Sequence, residues 1–327
     1  MAKFIGRRCT VGIGKESSRG TAVAPTFWIP LTTISFDEKV EKVRSEEGFG
    51  NIQEGSDSYI TSIFGEGDLE AELRVDALGL FLYGLMGSVS SATAGGEAAV
   101  YDHTFTIANT NQHQSISLLA QDPIQAKMMT LTMVDSLKIS VDPKGVVKYT
   151  IGFKSRGAKD WTTATAVYTS DSYKFLHQHF SLKVASDIAG LAAASALSVK
   201  SFEIEIAKNT VVDNIAGTVQ PEDILNQQFA VTGTIKLNHE DNTFKDYDYA
   251  NTYRAMKVNF LHPTTIGNAE KPELNIQMPR VSFSEWERDR GLNDIVGQTI
   301  NFQGNYDATN ALAVISTCVL TNQTASY

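Results

Sequence analysis

The stretch at residues 35–86, SFDEKVEKVRSEEGFGNIQEGSDSYITSIFGEGDLEAELRVDALGLFLYGLM, combines two strand patterns, a long loop and a helix pattern. Apolar and polar side chains alternate over residues 34–43, which predicts a half-buried strand. A polar loop with three glycines follows at 44–60, and the strand pattern resumes at 61–74. Loops of this length in compact domains are uncommon and tend to be functional or disordered.

An apolar helix is predicted directly after these strands. Asp76 is a favourable N-cap residue, and Gly87 suits the position just after the last turn. The apolar residues with the spacing of one helix face are Leu78, Phe81, Leu82 and Leu85. Because the segment is apolar nearly all round, we expect this helix to be buried.

The same order of elements recurs after a shift of 166 positions, without a gap. Residues 201–203 then correspond to 35–37, a second long loop lies at 209–224, and a second helix is expected at 242–253. The other matched pairs are Gly67 with Gly233, Leu69 with Ile235, Ala71 with Leu237 and Asp76 with Asn242. A duplicated β-unit with a long loop in each copy favours assembly over catalysis.

Length and charge exclude several classes of protein. The 327 residues are enough for two domains of ordinary size. The net charge of −9 disfavours a protein that grips nucleic acid through its phosphates. Residues 1–30 are an exception, with five basic residues against one acidic residue. This segment is either a solubilising terminus or a basic arm that docks on another copy.

Cysteine content and hydropathy indicate a soluble protein that is not exported by the usual route. Cys9 and Cys318 do not make a disulfide framework, which favours a reducing compartment. The N-terminus lacks the apolar core of a signal peptide. The longest apolar run, at 77–86, is far shorter than the ~20 residues of a membrane helix.

The predicted fold is mainly β, with two tandem β-sandwich or open-barrel domains, each with one flanking α-helix. The predicted parts are an extended N-terminal arm at 1–30, a first domain at 31–160, a second domain at 161–312 and a C-terminal tail at 313–327. Within them we expect a small-residue linker at 88–99 and a boundary at 155–171. Further strands are expected at 101–107, 114–120, 129–141, 146–154, 254–260, 273–283, 296–306 and 311–320.

Two sets of residues are candidates for a role in assembly. The first is the middle of the long loop, formed by Gly48, Phe49, Gly50, Asn51 and Ile52. The second is an acidic stripe of Asp68, Glu70 and Glu72, which alternate with Leu69, Ala71 and Leu73. The alternation places these carboxylates together on the strand face turned away from the core.

Sites for chemistry are weakly indicated. The sequence at 12–15, GIGK, lacks the first glycine and the Ser or Thr of a phosphate loop. His177 and His179 share a strand face, but a closed metal site needs about four ligands, and others are not evident nearby. The carboxylates do not form a pair in differing environments, as acid–base catalysis requires. No enzyme activity or cofactor is therefore predicted.

The stretch at 14–25, GKESSRGTAVAP, followed by WIP at 28–30, resembles the start of the tail tube, or major tail, proteins of long-tailed, non-contractile bacteriophages. The resemblance extends to the strand, loop, strand and helix of residues 34–87. It implies a β-sandwich fold with a flanking helix, and subunits that join their sheets into rings stacked as a hollow tube. It also implies residence in the virion after synthesis in the host bacterial cytoplasm.

The resemblance implies partners as well. These are further copies of the chain, a tape measure protein in the tube, and tail terminator and distal tail proteins at its ends. DNA passes through the lumen without specific binding, and no membrane is involved. Since single-unit members of this family form six-membered rings, a chain with two units predicts a trimer with pseudo-hexameric symmetry.

Two alternatives remain open from the sequence. A two-domain β-sandwich that binds a glycan or a host surface predicts an exposed aromatic platform, for which the candidates are Tyr247, Tyr249 and Tyr253. The other reading of these tyrosines is burial against the sheet. A carboxylate-dependent hydrolase is the second alternative, and no residue pair indicates its acid and base.

Overall fold

The computed structural model describes residues 3–53, 55–169 and 173–327. Parts of the predicted arm (1–2), long loop (54) and domain boundary (170–172) lie outside the described residues. The strands are β1 Thr10–Lys15, β2 Phe27–Ile29, β3 Leu31–Ile34, β4 Asp37–Arg44, β5 Ser58–Glu72, β6 Gly87–Thr93, β7 Tyr101–Ile107, β8 Ile116–Gln121, β9 Ala126–Val141, β10 Lys148–Arg156, β11 Lys159–Asp160, β12 Phe180–Ala185, β13 Val199–Ala207, β14 Val211–Asp213, β15 Asp223–Leu225, β16 Ala230–Asn238, β17 Arg254–Leu261, β18 Glu273–Asp289, β19 Gly297–Gly304 and β20 Thr317–Asn322. The α-helices in the same ranges are α1 Leu78–Met86 and α2 Thr243–Tyr249. The chain is therefore mainly β, as predicted.

A central antiparallel sheet organises these strands. β3 and β4 lie end to end along β5, and the order continues through β10, β9, β13, β16, β19 and β18. The sheet thus has eight strand positions, four from each half of the chain. The strands expected at 129–141 and 146–154 are confirmed as β9 and β10, which pair as a hairpin around residues 142–145.

The two faces of this sheet differ in chemistry along its whole width. One row of directly paired residues is polar in every strand: Thr33, Glu70, Thr150, Lys138, Glu205, Thr232, Gln303 and Ser282. The adjacent row is apolar: Ile34, Leu69, Ile151, Leu137, Ile206 and Val231. Since successive side chains point to opposite faces, one face packs on the core and the other is polar.

The two halves repeat one arrangement, but not without a gap. β5, β10 and β9 pair in the same way as β16, β19 and β18. The opening strands differ in register, because Leu69 lies opposite Ile34, whereas its counterpart Ile235 lies opposite Phe202. Leu69 and Ile235 are 166 positions apart, but Ile34 and Phe202 are 168 apart. The ungapped repeat is therefore wrong by two residues at its first strand.

The halves are joined rather than strung in tandem. β13 pairs with β9 across the predicted boundary, and β20 pairs with both β18 and β7. A single cluster of buried apolar side chains contains residues of both halves, such as Phe153 and Phe302. The separation into two domains at residue 160 is not confirmed, because this sheet and this core continue through it.

Helix α1 is buried, as predicted from its apolar composition. Eight of its nine residues are buried, and Gly87 follows it in the left-handed conformation at φ 90°. A left-handed residue at this position is a common helix end, and glycine adopts it without steric cost. The prediction of Asp76 as the N-cap is wrong, since Ala77 holds that position without a side-chain cap.

The prediction of irregular structure throughout the N-terminal arm is wrong for Thr10–Lys15. These residues form β1, which pairs with β2 and β8 and buries Val11 and Ile13. Trp28 is buried as well, so it anchors this segment to the body. The glycines are used for close packing, since a Cβ on Gly12 would lie 2.6 Å from Pro25.

A further segment predicted as irregular is also structured. The small-residue linker at 88–99 contains most of β6, which pairs with β7 over its full length. In the C-terminal tail at 313–327, the strand expected at 311–320 is partly confirmed by β20, and Tyr327 is buried at the end of the chain segment that follows it. The Tyr327 ring covers α1 so closely that a Cβ on Gly79 would lie 2.2 Å from it.

The predicted half-buried strand at 34–43 is exposed over most of its length. Every residue of β4 is exposed, including Val40 and Val43, and only Phe36 at the bend before it is buried. Alternation normally indicates one buried face. Here the apolar positions of β4 extend beyond the core, onto a projecting hairpin.

Candidate assembly surface

The central sheet ends in two unpaired edges. Among the described residues, no strand pairs with β3 or β4 on the side away from β5. At the other end, β19 pairs with residues 281–289 of β18, whereas β17 covers the opposite side only as far as Val281. Unpaired strand edges are templates for pairing with another chain.

The chain contains an internal junction of the kind that these edges would form. Residues 202–207 of β13 pair with residues 136–141 of β9, antiparallel and without a break. β13 is the counterpart of β3 and β4, and β9 is the counterpart of β18. The two open edges are thus the same two edges that are already joined once inside the chain.

A projecting hairpin adds apolar surface beside the first open edge. β4 and β5 pair out to Arg44 and Ser58, and the predicted assembly residues 48–52 lie in the loop that joins them. Phe49 and Ile52 are 64% and 105% exposed. Such a cluster of exposed apolar side chains is typical of an interaction surface.

The counterpart of this hairpin in the second half is packed down. β14 and β15 pair as the tips of β4 and β5 do, but they fold against β9. Ile224 of β15 is fully buried with Leu131 and Met133. In the first half, by contrast, every residue of β4, the strand that leads into the tip, is exposed.

The predicted acidic stripe lies on the polar face of the sheet, with much of its charge compensated. Glu70 forms an ion pair with Lys148 at 2.8 Å, and Glu72 forms one with Lys174 at 2.6 Å. The hydrogen bond from Lys174 keeps the pKa of Glu72 below its ordinary value. The stripe is therefore less negative than the sequence implies.

A buried lysine lies at the internal junction. The Lys208 side chain is fully buried just after β13, and its Nζ donates a hydrogen bond to the Gly84 carbonyl of α1 at 2.7 Å. Burial lowers the pKa of Lys208 to about 7. The nearby charge of Asp135 raises this pKa, and that of Arg19 lowers it further. The folded protein thus holds this proton less tightly than the unfolded chain does.

The pH dependence of stability should reveal this lysine. Between pH 7 and the unfolded pKa of about 10.4, the unfolded chain binds more protons at Lys208, so stability rises with pH. We expect the free energy of unfolding of wild type, minus that of Lys208→Met, to rise by about 2 kcal/mol between pH ~7 and ~8.5. Urea titrations at several pH values measure the difference, and a flat difference would contradict the assignment.

The N-terminal phrase at 14–25 tethers this segment to the body, which the sequence did not predict. The buried carboxylate of Glu16 accepts hydrogen bonds from Ser115, Ser117 and the Leu131 backbone N–H at 2.6–3.0 Å. Arg19 is ion-paired with Asp223 at the start of β15. A Glu and an Arg inside a glycine-rich stretch carry no spacing signal that identifies such partners.

The weakly indicated chemical sites do not take shape. Lys15 lies in strand β1 and not in a phosphate-binding loop. Its Nζ donates a hydrogen bond to the Tyr327 carbonyl at 3.0 Å. His177 and His179 lie in one short 3-10 turn, and His179 packs on His262 with ring centroids 4.8 Å apart. Within the described ranges, no three His, Cys, Asp or Glu residues are placed to hold a metal ion.

The tyrosines do not form the aromatic platform that a glycan-binding module requires. Tyr247 stacks on Phe283, and Tyr253 lies under the Arg280 guanidinium at 3.7 Å from its ring centroid. Tyr249 is exposed, whereas Tyr247 and Tyr253 are half-buried. Among the helices that are described, none is long and apolar enough to span a membrane.

The chain is therefore a mainly β protein with one wide sheet, which has a polar face and two open edges. Residues 6–304 match the family described as phage tail tube protein, which is nearly the whole chain. The protein belongs to this family of structural proteins of the phage tail. No curated protein matches the chain.

Proposed function

We propose that the protein is the tail tube subunit of a long-tailed, non-contractile phage, and that three copies close into a ring. In this ring, β3 and β4 of one copy pair with residues 282–289 of β18 in the next copy. The observation that supports this pairing is the internal junction of β9 and β13, which joins the same two edges within one chain. Repeating that junction head to tail is a heterologous contact, which closes when the rotation fits.

Three copies supply enough strands for a wide pore. Eight strand positions per chain make a closed barrel of about 24 strands, with no free edge in the central sheet. With strands ~4.8 Å apart and tilted by about 40°, the barrel is roughly 50 Å across its backbone. Barrels of 16–18 strands already leave an aqueous channel, so this one admits a DNA duplex.

The polar face of the sheet lines this pore. It carries Asp68, Glu70 and Glu72, together with the threonines and amides of the polar row. A lining of paired charges and neutral polar groups offers no basic groove to hold phosphates, so DNA slides through without specific binding. The core face lies outward, covered by α1, α2 and the flanking strands.

Stacking of rings makes the tube. The exposed hairpin tip at 48–52 contacts a neighbouring copy, as the packed position of its counterpart at β14 and β15 suggests. A tape measure protein fills the tube before ejection, and terminator and distal tail proteins close its ends. The finished subunit resides in the virion after synthesis in the host cytoplasm.

Electron microscopy of the purified protein over a range of concentrations, with mass measured in solution, tests this proposal. We expect rings with three-fold symmetry and tubes built from them. If the protein stays monomeric, a purified tail-tip complex is added as an initiator. A monomer that adds to no such complex at any concentration would overturn the proposed function.

A pair of variants tests the hairpin tip. We expect Phe49→Ser with Ile52→Ser to raise the concentration needed for assembly at least tenfold, because apolar area at the contact is lost. The matched control is Glu46→Ser with Glu47→Ser, on the same loop, which should assemble nearly as wild type does. Both are exposed pairs, so thermal unfolding of the monomer should not change. Equal assembly by both double variants would contradict a role for the tip.

A further inference from the structure

The ring-closing junction can be compared residue by residue with the internal one. In the first half, Thr150 pairs with Lys138 and Phe153 with Val134. In the second half, Thr299 pairs with Glu287 and Phe302 with Phe283. Each of the segments β9 and β18 has one extra residue, a β-bulge, between these two pairs, although the two bulges do not lie at the same position. Because each strand gains one residue over this stretch, the outer ends of β9 and β18 remain in equivalent register.

Apolar residues at the internal junction correspond to charged residues at the open edge of β18. The core-side residues of β9 at the internal junction are Leu137, Ile139 and Val141, all buried. Their equivalents are Trp286 and Arg288 of β18, and Arg290 directly after its end. The Arg288 guanidinium lies 5.2 Å from the Trp286 ring, which places both side chains on the same side.

The opposite edge changes in a complementary way. By strand pairing, Phe202, Ile204 and Ile206 of β13 are equivalent to Ile34, Phe36 and Glu38. On its core face, the internal junction is thus apolar on both strands. The equivalent positions of the open edges hold Arg288 on one strand, and Phe36 and Glu38 on the other.

A cleft beside the open edge of β3 and β4 has the matching charge. It has a volume of about 540 Å³ and is bordered by Phe36, Glu38, Asp122, Lys127 and Met129. Lys127 is already ion-paired with Asp160 at 2.7 Å, so the three lining carboxylates, Asp37, Glu38 and Asp122, leave this cleft acidic. An arginine that enters it meets an aromatic ring and a carboxylate, both favourable partners.

We infer that Arg288 of one copy inserts into this cleft of the next, against Phe36 and Glu38, and that the ring closes through a charged junction. The inference rests on the proposed function. In the register of the internal junction, Arg288 lies opposite Phe36 and diagonal to Glu38. On the polar face, the attraction between Lys39 and Glu285 offsets the repulsion between Asp37 and Glu287.

The difference between the two junctions has a physical consequence. The apolar junction inside the chain forms during folding and stays buried. The charged edges remain hydrated in the free subunit, which protects it from indiscriminate edge pairing. Asp248 also holds the Trp286 backbone N–H at 3.0 Å in the free chain. Only a second copy supplies both the missing strand and the opposite charge.

Charge exchange tests the contact. We expect Arg288→Glu and Glu38→Arg each to raise the concentration required for assembly at least tenfold, and the double exchange to restore it to within about threefold. Lys236→Glu, the same charge change on the polar face of β16, is the matched control and should have a smaller effect. Arg288 and Lys236 are exposed, so the unfolding temperatures of their variants should stay near that of wild type. Glu38 is exposed but accepts a hydrogen bond from the Ala158 backbone N–H at 2.8 Å, so assembly of Glu38→Arg is compared at equal folded concentration.

A cross-link provides a second readout. Asp37→Cys with Glu287→Cys, in a Cys9→Ser background, places two thiols in directly opposed positions of the proposed junction. Oxidation should give covalent dimers and trimers, whereas each single variant gives at most a dimer. If wild type assembles but neither charge reversal nor oxidation has these effects, the charged junction is refuted and the tube function stands. Failure of wild type to assemble refutes the tube function itself.

Discussion

Replacing Ile204 with aspartate is expected to unfold the whole chain rather than release one folded half. Ile204 is fully buried in β13, directly opposite Ile139 of β9. An unpaired carboxylate at this position costs at least ~4 kcal/mol, a large part of the 5–15 kcal/mol that stabilises a typical domain. Because both halves share this sheet and core, we expect loss of a single cooperative transition in thermal unfolding followed by circular dichroism.

The matched control is Glu205→Ala, one position further along the same strand. Glu205 is exposed on the polar face, so its loss should change stability by no more than about 0.5 kcal/mol. If Ile204→Asp instead leaves a folded fragment with its own transition, the halves are independent domains. That result would restore the tandem arrangement expected from the sequence.

Replacing Phe81 with alanine is expected to destabilise the protein by about 3–5 kcal/mol. Phe81 is fully buried in α1, and its ring centroid lies 5.7 Å from that of Phe153 and 6.2 Å from that of Tyr149. Truncation leaves a cavity between the helix and the central sheet. Urea unfolding monitored by fluorescence measures the change.

Tyr249→Ala on α2 provides the contrast for this variant. Its ring is 72% exposed, so we expect a loss below about 1 kcal/mol, mostly from its contact with Lys245. Similar losses of unfolding free energy for the two variants would mean that Phe81 of α1 contributes no more to stability than an exposed residue does. Near-native stability of Phe81→Ala would have the same meaning.

Local patterns predicted the elements that depend on neighbours in sequence. Helix α1 follows from its apolar composition and from Gly87, and strands β9 and β10 follow from the strand patterns at 129–141 and 146–154. The same reasoning was wrong for β4 and β6, where exposure and pairing depend on distant strands. It was also wrong for β1, since Gly12 and Gly14 serve close packing rather than irregularity.

Part of the candidate assembly surface could be predicted from the sequence. The loop at 48–52 and the carboxylates Asp68, Glu70 and Glu72 were identified as features, and their roles in assembly and in the pore remain predictions. Their partners were not identifiable. Lys148 and Lys174 lie far away in sequence, and a pattern of alternation carries no information about which strand lies alongside.

The sequence by itself determined the family, the β-rich class, the buried helix and the existence of a repeated unit. Each of these depends on residue type and short-range spacing, which are written directly in the chain. The tertiary structure alone decided that the halves share one sheet, that the repeat is offset by two residues, and which edges stay open. Strand order and register are set by packing between segments that can lie about a hundred residues or more apart, such as β1 with β8 and β20 with β7. The charged character of the open edges is visible only once those pairings show which residues are equivalent.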